Sequence, residues 1–263
     1  PSENTIHCSG HLKNGVYTVD GGISSQFITG LLFALALLND ESRLQITGQI
    51  QSKPYIEMTR QALSLFGVDT NLSALRGSFP FKSPVSVKVE GDWSNGAFWL
   101  AANALGSTLE IDGLNHNSVQ GDRLSAQILS NIEELDVIDA SDIPDLVPIL
   151  AVVAGQRKTV KFTNIQRLRL KESDRVTSVA TMLQNLGANV QVSENEMTVI
   201  PGKYHGCTID TVGDHRIAMA GAIAATVADG PVTILGAQCV SKSYPSFWEE
   251  YQRLGGSYEQ HIR

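Results

Sequence analysis

The 263-residue chain sets 20 Lys and Arg against 27 Asp and Glu, a formal net charge of −7, with 42% hydrophobic and only 18% charged residues. That acidic balance argues against general nucleic-acid or anionic-membrane binding, which needs a basic surface, and a charge content below the roughly 25% typical of soluble domains implies that much of the backbone lies inside. Cys8, Cys207 and Cys239 are odd in number, far apart and form no CxxC pair, which excludes a disulfide framework and a zinc ribbon and favours a reducing compartment.

The chain begins at Pro1 and shows no targeting segment, so it is expected to be processed or to be a piece of something longer. Its longest apolar run, residues 27–38, falls short of the roughly 20 residues a membrane span requires and reads as a buried core helix. A strand is expected at 44–48, where apolar and polar residues alternate into Gly48. The polar turn Ser52-Lys53-Pro54-Tyr55 opens an amphipathic helix that closes at Gly67. The turn Glu90-Gly91-Asp92 is the candidate domain joint, dividing the chain into 1–90 and 91–263. Beyond it come an apolar helix at 97–105, a strand at 109–113, an apolar helix at 146–154 and a strand at 160–164. Val176, Val179, Ala180, Leu183 and Leu186 mark an amphipathic helix closing at Gly187. An apolar helix at 217–228, a strand at 232–236 and a helix closing at Gly255 complete the series.

The spacing repeats. Asp92 to Ile111, Asp142 to Phe162 and Asp214 to Ile234 are 19, 20 and 20 residues, while Asp20 to Ile46 is 26. Such matched copies point to a repeated helix–strand–helix–strand unit rather than to ordinary α/β alternation. The first helix of each copy is apolar almost all round, so it should be buried on every side. Its polar residues gather at the N-terminus: Ser24-Ser25-Gln26, Asp92-Trp93-Ser94-Asn95, Asp145, and Asp214-His215-Arg216. Helix N-termini present unpaired N–H groups and partial positive charge, so several of them together would hold an anion without a glycine-rich loop.

Residues 157–175 hold seven basic groups against Glu172 and Asp174, a local charge of +5 in an acidic protein. This is either a strand edge kept charged against mispairing or a pocket for a polyanionic small molecule. Ser24 and Ser25 either cap a helix or cradle a phosphate. His215 has no second His or Cys at ligand spacing, which disfavours a metal; Arg216, with its planar fork, suits phosphate or carboxylate better. No Walker A, GxSxG or GxGxxG sequence appears, so ATP and NAD chemistry lack support.

Gly22-Ile23-Ser24-Ser25-Gln26-Phe27, Ser52-Lys53-Pro54-Tyr55-Ile56, Ile143-Pro144-Asp145, Leu170-Lys171-Glu172-Ser173-Asp174-Arg175, Gly213-Asp214-His215-Arg216-Ile217-Ala218-Met219-Ala220 and Ser241-Lys242-Ser243-Tyr244-Pro245 together resemble the 5-enolpyruvylshikimate-3-phosphate synthase family along the whole chain. The resemblance implies an α/β fold of two domains built from repeated βαβαββ units, with helices buried inside mixed sheets and a cleft between the domains. Residues 1–90 would be the last unit of one domain and 91–263 most of the other. It implies transfer of the enolpyruvyl group of phosphoenolpyruvate to the 5-hydroxyl of shikimate 3-phosphate, with no metal or organic cofactor, in the cytoplasm, by an enzyme that is monomeric at full length.

By the same resemblance, Ser24, Ser25 and Ser52 would bind the shikimate phosphate beside Tyr55, and Gln26 would lie between the substrates. Arg175, Arg216 and Lys242 would hold phosphoenolpyruvate; Asp145 and Lys171 would touch the shikimate hydroxyls. Asp145 would be the base for the hydroxyl, with Lys171 or Glu172 handling the carbon proton. Arg167 stands where some members have Asn, and is a further candidate contact to shikimate. The family's N-terminal part, with its own Lys, Ser and Arg contacts, is absent, so this chain alone is expected to lack turnover. Two other readings are a stand-alone or partner-dependent anion-binding module and the sibling enzyme acting on UDP-N-acetylglucosamine. The Lys-Glu-Ser-Asp-Arg segment speaks against the sibling.

Overall fold

A computed structural model describes residues 5–76 and 81–261. The chain divides into two compact units, Pro1–Lys88 and Val89–Arg263, and each has its own hydrophobic cluster.

In the first unit, β1 (Val16–Asp20) leads through α1 (Ser25–Ala36) to β2 (Glu41–Thr47), then through α2 (Lys53–Leu65) to the two-residue β3 (Leu75–Arg76). β1 and β2 are parallel, with Val16 opposite Arg43, and β3 pairs antiparallel with β2. Parallel neighbours require helical crossovers, so α1 and α2 both start from the same end of the sheet. A backbone bond from Gln51 N–H to the Gly21 carbonyl (3.3 Å) ties their two entry turns together. Ile28, Leu32, Leu35 and Ala36 of α1 are buried, whereas Phe27, Phe33 and Leu37 are exposed. The helix is therefore not buried on every side as its composition implies: one small sheet and α2 cover one face of it.

The second unit opens with α3 (Trp93–Ala104), α4 (Leu124–Ser130) and β4 (Val137–Asp139). α5 (Val147–Arg157), β5 (Val160–Thr163), α6 (Arg175–Leu186), β6 (Asn189–Val192) and β7 (Glu196–Ile200) follow. β8 (Thr208–Asp210), α7 (His215–Ala225), β9 (Thr233–Leu235) and α8 (Phe247–Arg253) complete it. The run β4-α5-β5-α6-β6-β7 is one full βαβαββ repeat. Its sheet order is β4-β5-β7-β6, with β4 and β5 parallel and the β5/β7 and β7/β6 pairs antiparallel. β8 and β9 are parallel around α7, starting a further copy. Val147–Gly155 of α5 and His215–Ala224 of α7 are buried at every position, as an all-apolar helix must be. α6 closes on Gly187 at a φ of 112°, where a Cβ would sit 2.5 Å from the Lys203 carbonyl.

The expected strand at 109–113 does not form. The Asn103 side chain accepts from Leu109 N–H (2.7 Å) and donates to the Leu109 carbonyl (2.9 Å). An amide side chain thus occupies both groups that a neighbouring strand would pair with, while Leu109 and Ile111 still pack on the core. The alternation reflects half-burial there, not a ladder.

Candidate functional site: a charge cluster at four helix N-termini

In the second unit the first turns of α3, α5, α6 and α7 meet through charged and hydroxyl side chains. Arg175, the first residue of α6, is 1% exposed. It donates to Asp214 from Nε (2.9 Å) and Nη2 (3.3 Å), to Asp145 from Nη1 (2.7 Å) and to Glu172 from Nη2 (2.7 Å). Asp145 precedes α5 and also pairs with Lys171 (3.3 Å) and with Arg216 of α7 (3.1 Å). Glu172 takes a second cation, Lys242, at 2.8 Å. Arg216 Nη2 further donates to the Ser94 hydroxyl of α3 at 3.2 Å.

Local sequence explains the convergence. Asp92, Asp174 and Asp214 are side-chain N-caps of α3, α6 and α7, which satisfies orphan N–H groups and fixes where each helix begins. Asp214, fully buried, does two jobs: its Oδ1 accepts from Arg216 N–H (2.9 Å), and the carboxylate also takes the Arg175 fork and the Ser173 hydroxyl. The basic run 157–175 divides by function. Lys158 and Lys161 pair with Asp136 and Glu196, Arg169 pairs with Asp174, and Lys171 and Arg175 pair with Asp145 in the cluster. Arg167 lies in the 3₁₀ turn Gln166–Leu170; burial lowers its pKa, and the nearby Asp145 pulls the other way.

These contacts set the proton affinities. Burial alone would raise Asp145, but Arg216, Lys171 and Arg175 outweigh it and hold its pKa far below the usual carboxylate range. Glu172 is likewise pushed up by burial and pulled down further by Lys242 and Arg175, to about 2. Burial lowers His215, and the Arg216 charge lowers it again. Neither carboxylate can accept a proton easily while its cations stay in place. Arg175 faces inward onto three carboxylates, so it can reach a ligand only if one of them gives way.

The remaining candidates lie in the first unit. Ser24 caps α1 by accepting from Gln26 N–H (3.2 Å), and Ser25 is buried at the first helical position. Ser52 precedes α2 with a left-handed φ of 53° and is 2% exposed. That is uncommon for a non-glycine residue and marks local strain. Tyr55 lies in the first turn of α2, and Thr59 bonds Thr29 across the two helices (3.2 Å). Motif reading singled out Arg175 and Arg216 but gave Asp214 no role of its own. No local signal marked it: Asp92 caps the similarly apolar α3 and is exposed, whereas Asp214 caps α7 and is fully buried. Among the described residues no group of three or more His, Cys, Asp or Glu is placed to hold a metal, and no helix is long and apolar enough to cross a membrane.

The sequence model of the EPSP synthase (3-phosphoshikimate 1-carboxyvinyltransferase) family matches residues 3–137 and 133–251. The 3-phosphoshikimate 1-carboxyvinyltransferase of Clostridium kluyveri is 41% identical over 277 aligned positions, covering 96% of this chain and 65% of that protein. Its counterpart from Clostridium acetobutylicum is 42% identical, covering 95% and 64%. Among solved structures, EPSP synthase from Acinetobacter baumannii superposes with a TM-score of 0.76 at 23% identity, over 95% of this chain and 64% of that one. The enolpyruvyl transferase NikO from Streptomyces tendae gives 0.66 at 15% identity, over 95% and 66%. The chain thus spans a little under two thirds of the curated relatives it matches, and with its repeated βαβαββ architecture it belongs to the EPSP synthase family.

Proposed function

We propose that this chain serves transfer of the enolpyruvyl group from phosphoenolpyruvate to the 5-hydroxyl of shikimate 3-phosphate, with release of phosphate, in the cytoplasmic synthesis of aromatic amino acids. The observation that carries the reading is the cluster of Arg175, Arg216, Lys171 and Lys242 around Asp145, Glu172 and Asp214, four cations gathered in one place that an anion can claim by displacing the carboxylates. Residues 1–90 are read as the last repeat of one domain and 91–263 as most of the other, in an enzyme that is monomeric at full length.

Phosphoenolpyruvate is held by Lys242, Arg216 and Arg175, and shikimate 3-phosphate by Ser24, Ser25 and Ser52 with Tyr55. Gln26 lies between the substrates, and Lys171 and Arg167 meet the shikimate ring. The ligand's carboxylate and phosphate oxygens compete with Asp145 and Glu172 for the same cations. As they win, the two carboxylates lose the partners that depress their pKa values and become able to accept protons. Asp145 then takes the hydroxyl proton, while Lys171 or Glu172 delivers a proton to the enol carbon and later removes one. The hydroxyl oxygen bonds to the adjacent carbon in between, and the carbon–oxygen bond to phosphate breaks last. The fixed cations offset the phosphate charge throughout.

Calorimetric titration with each substrate tests this. Ser25→Ala should weaken shikimate 3-phosphate binding about tenfold, the scale of one charge-assisted hydrogen bond, and leave phosphoenolpyruvate unchanged. Lys242→Ala should do the reverse. Equal binding of both ligands by both variants and the parent chain would sink the assignment.

A further inference from the structure

Behind Arg216 lies a second carboxylate that the proposed chemistry does not use. Asp122 sits in the 3₁₀ turn Gly121–Arg123 just ahead of α4 and is 4% exposed. Its Oδ2 accepts from the Ser94 hydroxyl, and Ser94 in turn accepts from Arg216 Nη2. Its Oδ1 is buried with no hydrogen-bond partner among the described residues. The turn that carries it is itself held. Gln120 donates to Glu90 and to the Gly91 carbonyl (both 2.9 Å), and accepts from Trp93 N–H (2.9 Å) at the start of α3.

We propose that Asp122 is a positioning residue: by fixing the Ser94 hydroxyl it aims a lone pair at Arg216 and so sets the orientation of that guanidinium. A serine hydroxyl has one proton and two acceptor sites. With the proton committed to the Asp122 carboxylate, only acceptor capacity faces Arg216. Asp145 holds the same guanidinium through its carboxylate on Nη2 (3.1 Å) and its carbonyl on Nη1 (3.4 Å). The fork is thereby held at two points before any ligand arrives, which is the preorganisation that anion recognition needs. The proposal rests on reading Arg216 as an anion-holding side chain.

The arrangement predicts a pH signature. Burial raises the Asp122 pKa, the Ser94 bond lowers it, and Asp145, Arg216 and Asp92 act across the cluster; the balance is about 6. Of the elements packed on this turn, α3 contributes Asp92 at its cap, and α4 (Leu124–Ser130) contributes no charged side chain. Arg123 neighbours Asp122 in the turn itself. Below that pH the acid carries its own proton and can donate to Ser94. The hydroxyl is then free to turn, and the hold on Arg216 loosens.

Nitrogen-15 NMR of the arginine guanidinium groups reads this directly. In the parent chain the Arg216 signals should shift and broaden as pH falls, with a midpoint near 6. Ser94→Ala and Asp122→Asn should each abolish that titration, and Ser94→Ala should leave Arg216 broadened at every pH. Because an ionised buried Asp122 costs stability, Asp122→Asn should melt no lower than the parent at pH 7.5, which a purely structural carboxylate would not allow. Arg216 signals that ignore pH and are unchanged in Ser94→Ala would overturn the proposal. A phosphoenolpyruvate titration alongside separates the two ideas. If Arg216 titrates as expected but Arg216→Lys binds phosphoenolpyruvate like the parent, the ligand assignment fails and the positioning role stands.

Discussion

Glu172 and Asp145 are carboxylates whose native pKa values are depressed, and their effect on stability has a definite sign. Glu172 falls from 4.5 to about 2 on folding, so its contribution is fully present above pH 4.5 and is lost as pH falls towards 2. Its side chain is only 27% exposed, so screening is moderate and the contribution is of order 2–3 kcal/mol. Glu172→Gln should therefore flatten the acid limb of a urea-stability profile between pH 4.5 and 2 while preserving its alkaline side. An acid limb as steep as the parent's would mean that the Lys242 and Arg175 pairs do not hold in solution. At this scale the sequence was half legible. Glu172 and Arg175 are three apart in a short charged motif, so their neighbourhood can be read along the chain. Asp214, Ser94 and Asp122 cannot be read that way, because their partners lie 39, 122 and 28 residues away. Nothing local distinguishes a cap that faces water from one that closes on a buried arginine.

The elements separate composition from environment. The apolar runs become α1, α3, α5 and α7, and three of the four expected strands fall within a few residues of β2, β5 and β9. The fourth fails because Asn103, six residues upstream, supplies the hydrogen bonds of a strand neighbour. The exposed Phe27 and Phe33 of α1, with Leu37 just past its end, show that an apolar surface does not guarantee a cover. Close approaches are harder still to read from sequence. Gly155 lies in α5, where a Cβ would overlap the Tyr204 hydroxyl and stand 3.2 Å from its Cζ, while that hydroxyl donates to the Val152 carbonyl (2.7 Å). Helix propensity favours Gly155→Ala by roughly 1 kcal/mol, but overpacking a dense core costs about 1–3 kcal/mol, and Tyr204 is 1% exposed with little room to move. The variant should be destabilised on balance. Tyr204→Phe, which removes the overlapping oxygen, should recover part of the loss in a double-mutant cycle by chemical denaturation. Strict additivity would show that the helix, not the tyrosine, absorbs the strain.

At the scale of the whole molecule, the two units draw on separate cores. Ile28, Leu32, Leu35, Leu44 and Leu63 belong to a small cluster in the first, while the cluster of the second begins at Ala97 and runs to Tyr251. Units with their own cores unfold as separate cooperative blocks unless something couples them, and the smaller core should melt first because it buries less of its surface. Scanning calorimetry should therefore resolve two transitions. Leu32→Ala in α1 and Leu150→Ala in α5 each remove a fully buried side chain, a loss of about 2–5 kcal/mol where the cavity cannot collapse. Leu32→Ala should lower only the first transition and Leu150→Ala only the second. A ligand held by the charge cluster should raise the second transition, because binding to the native state alone stabilises the block that contains the site. If each substitution shifts one common transition, the units unfold as a single block, and any stabilisation by ligand then reports on the whole chain rather than on the site.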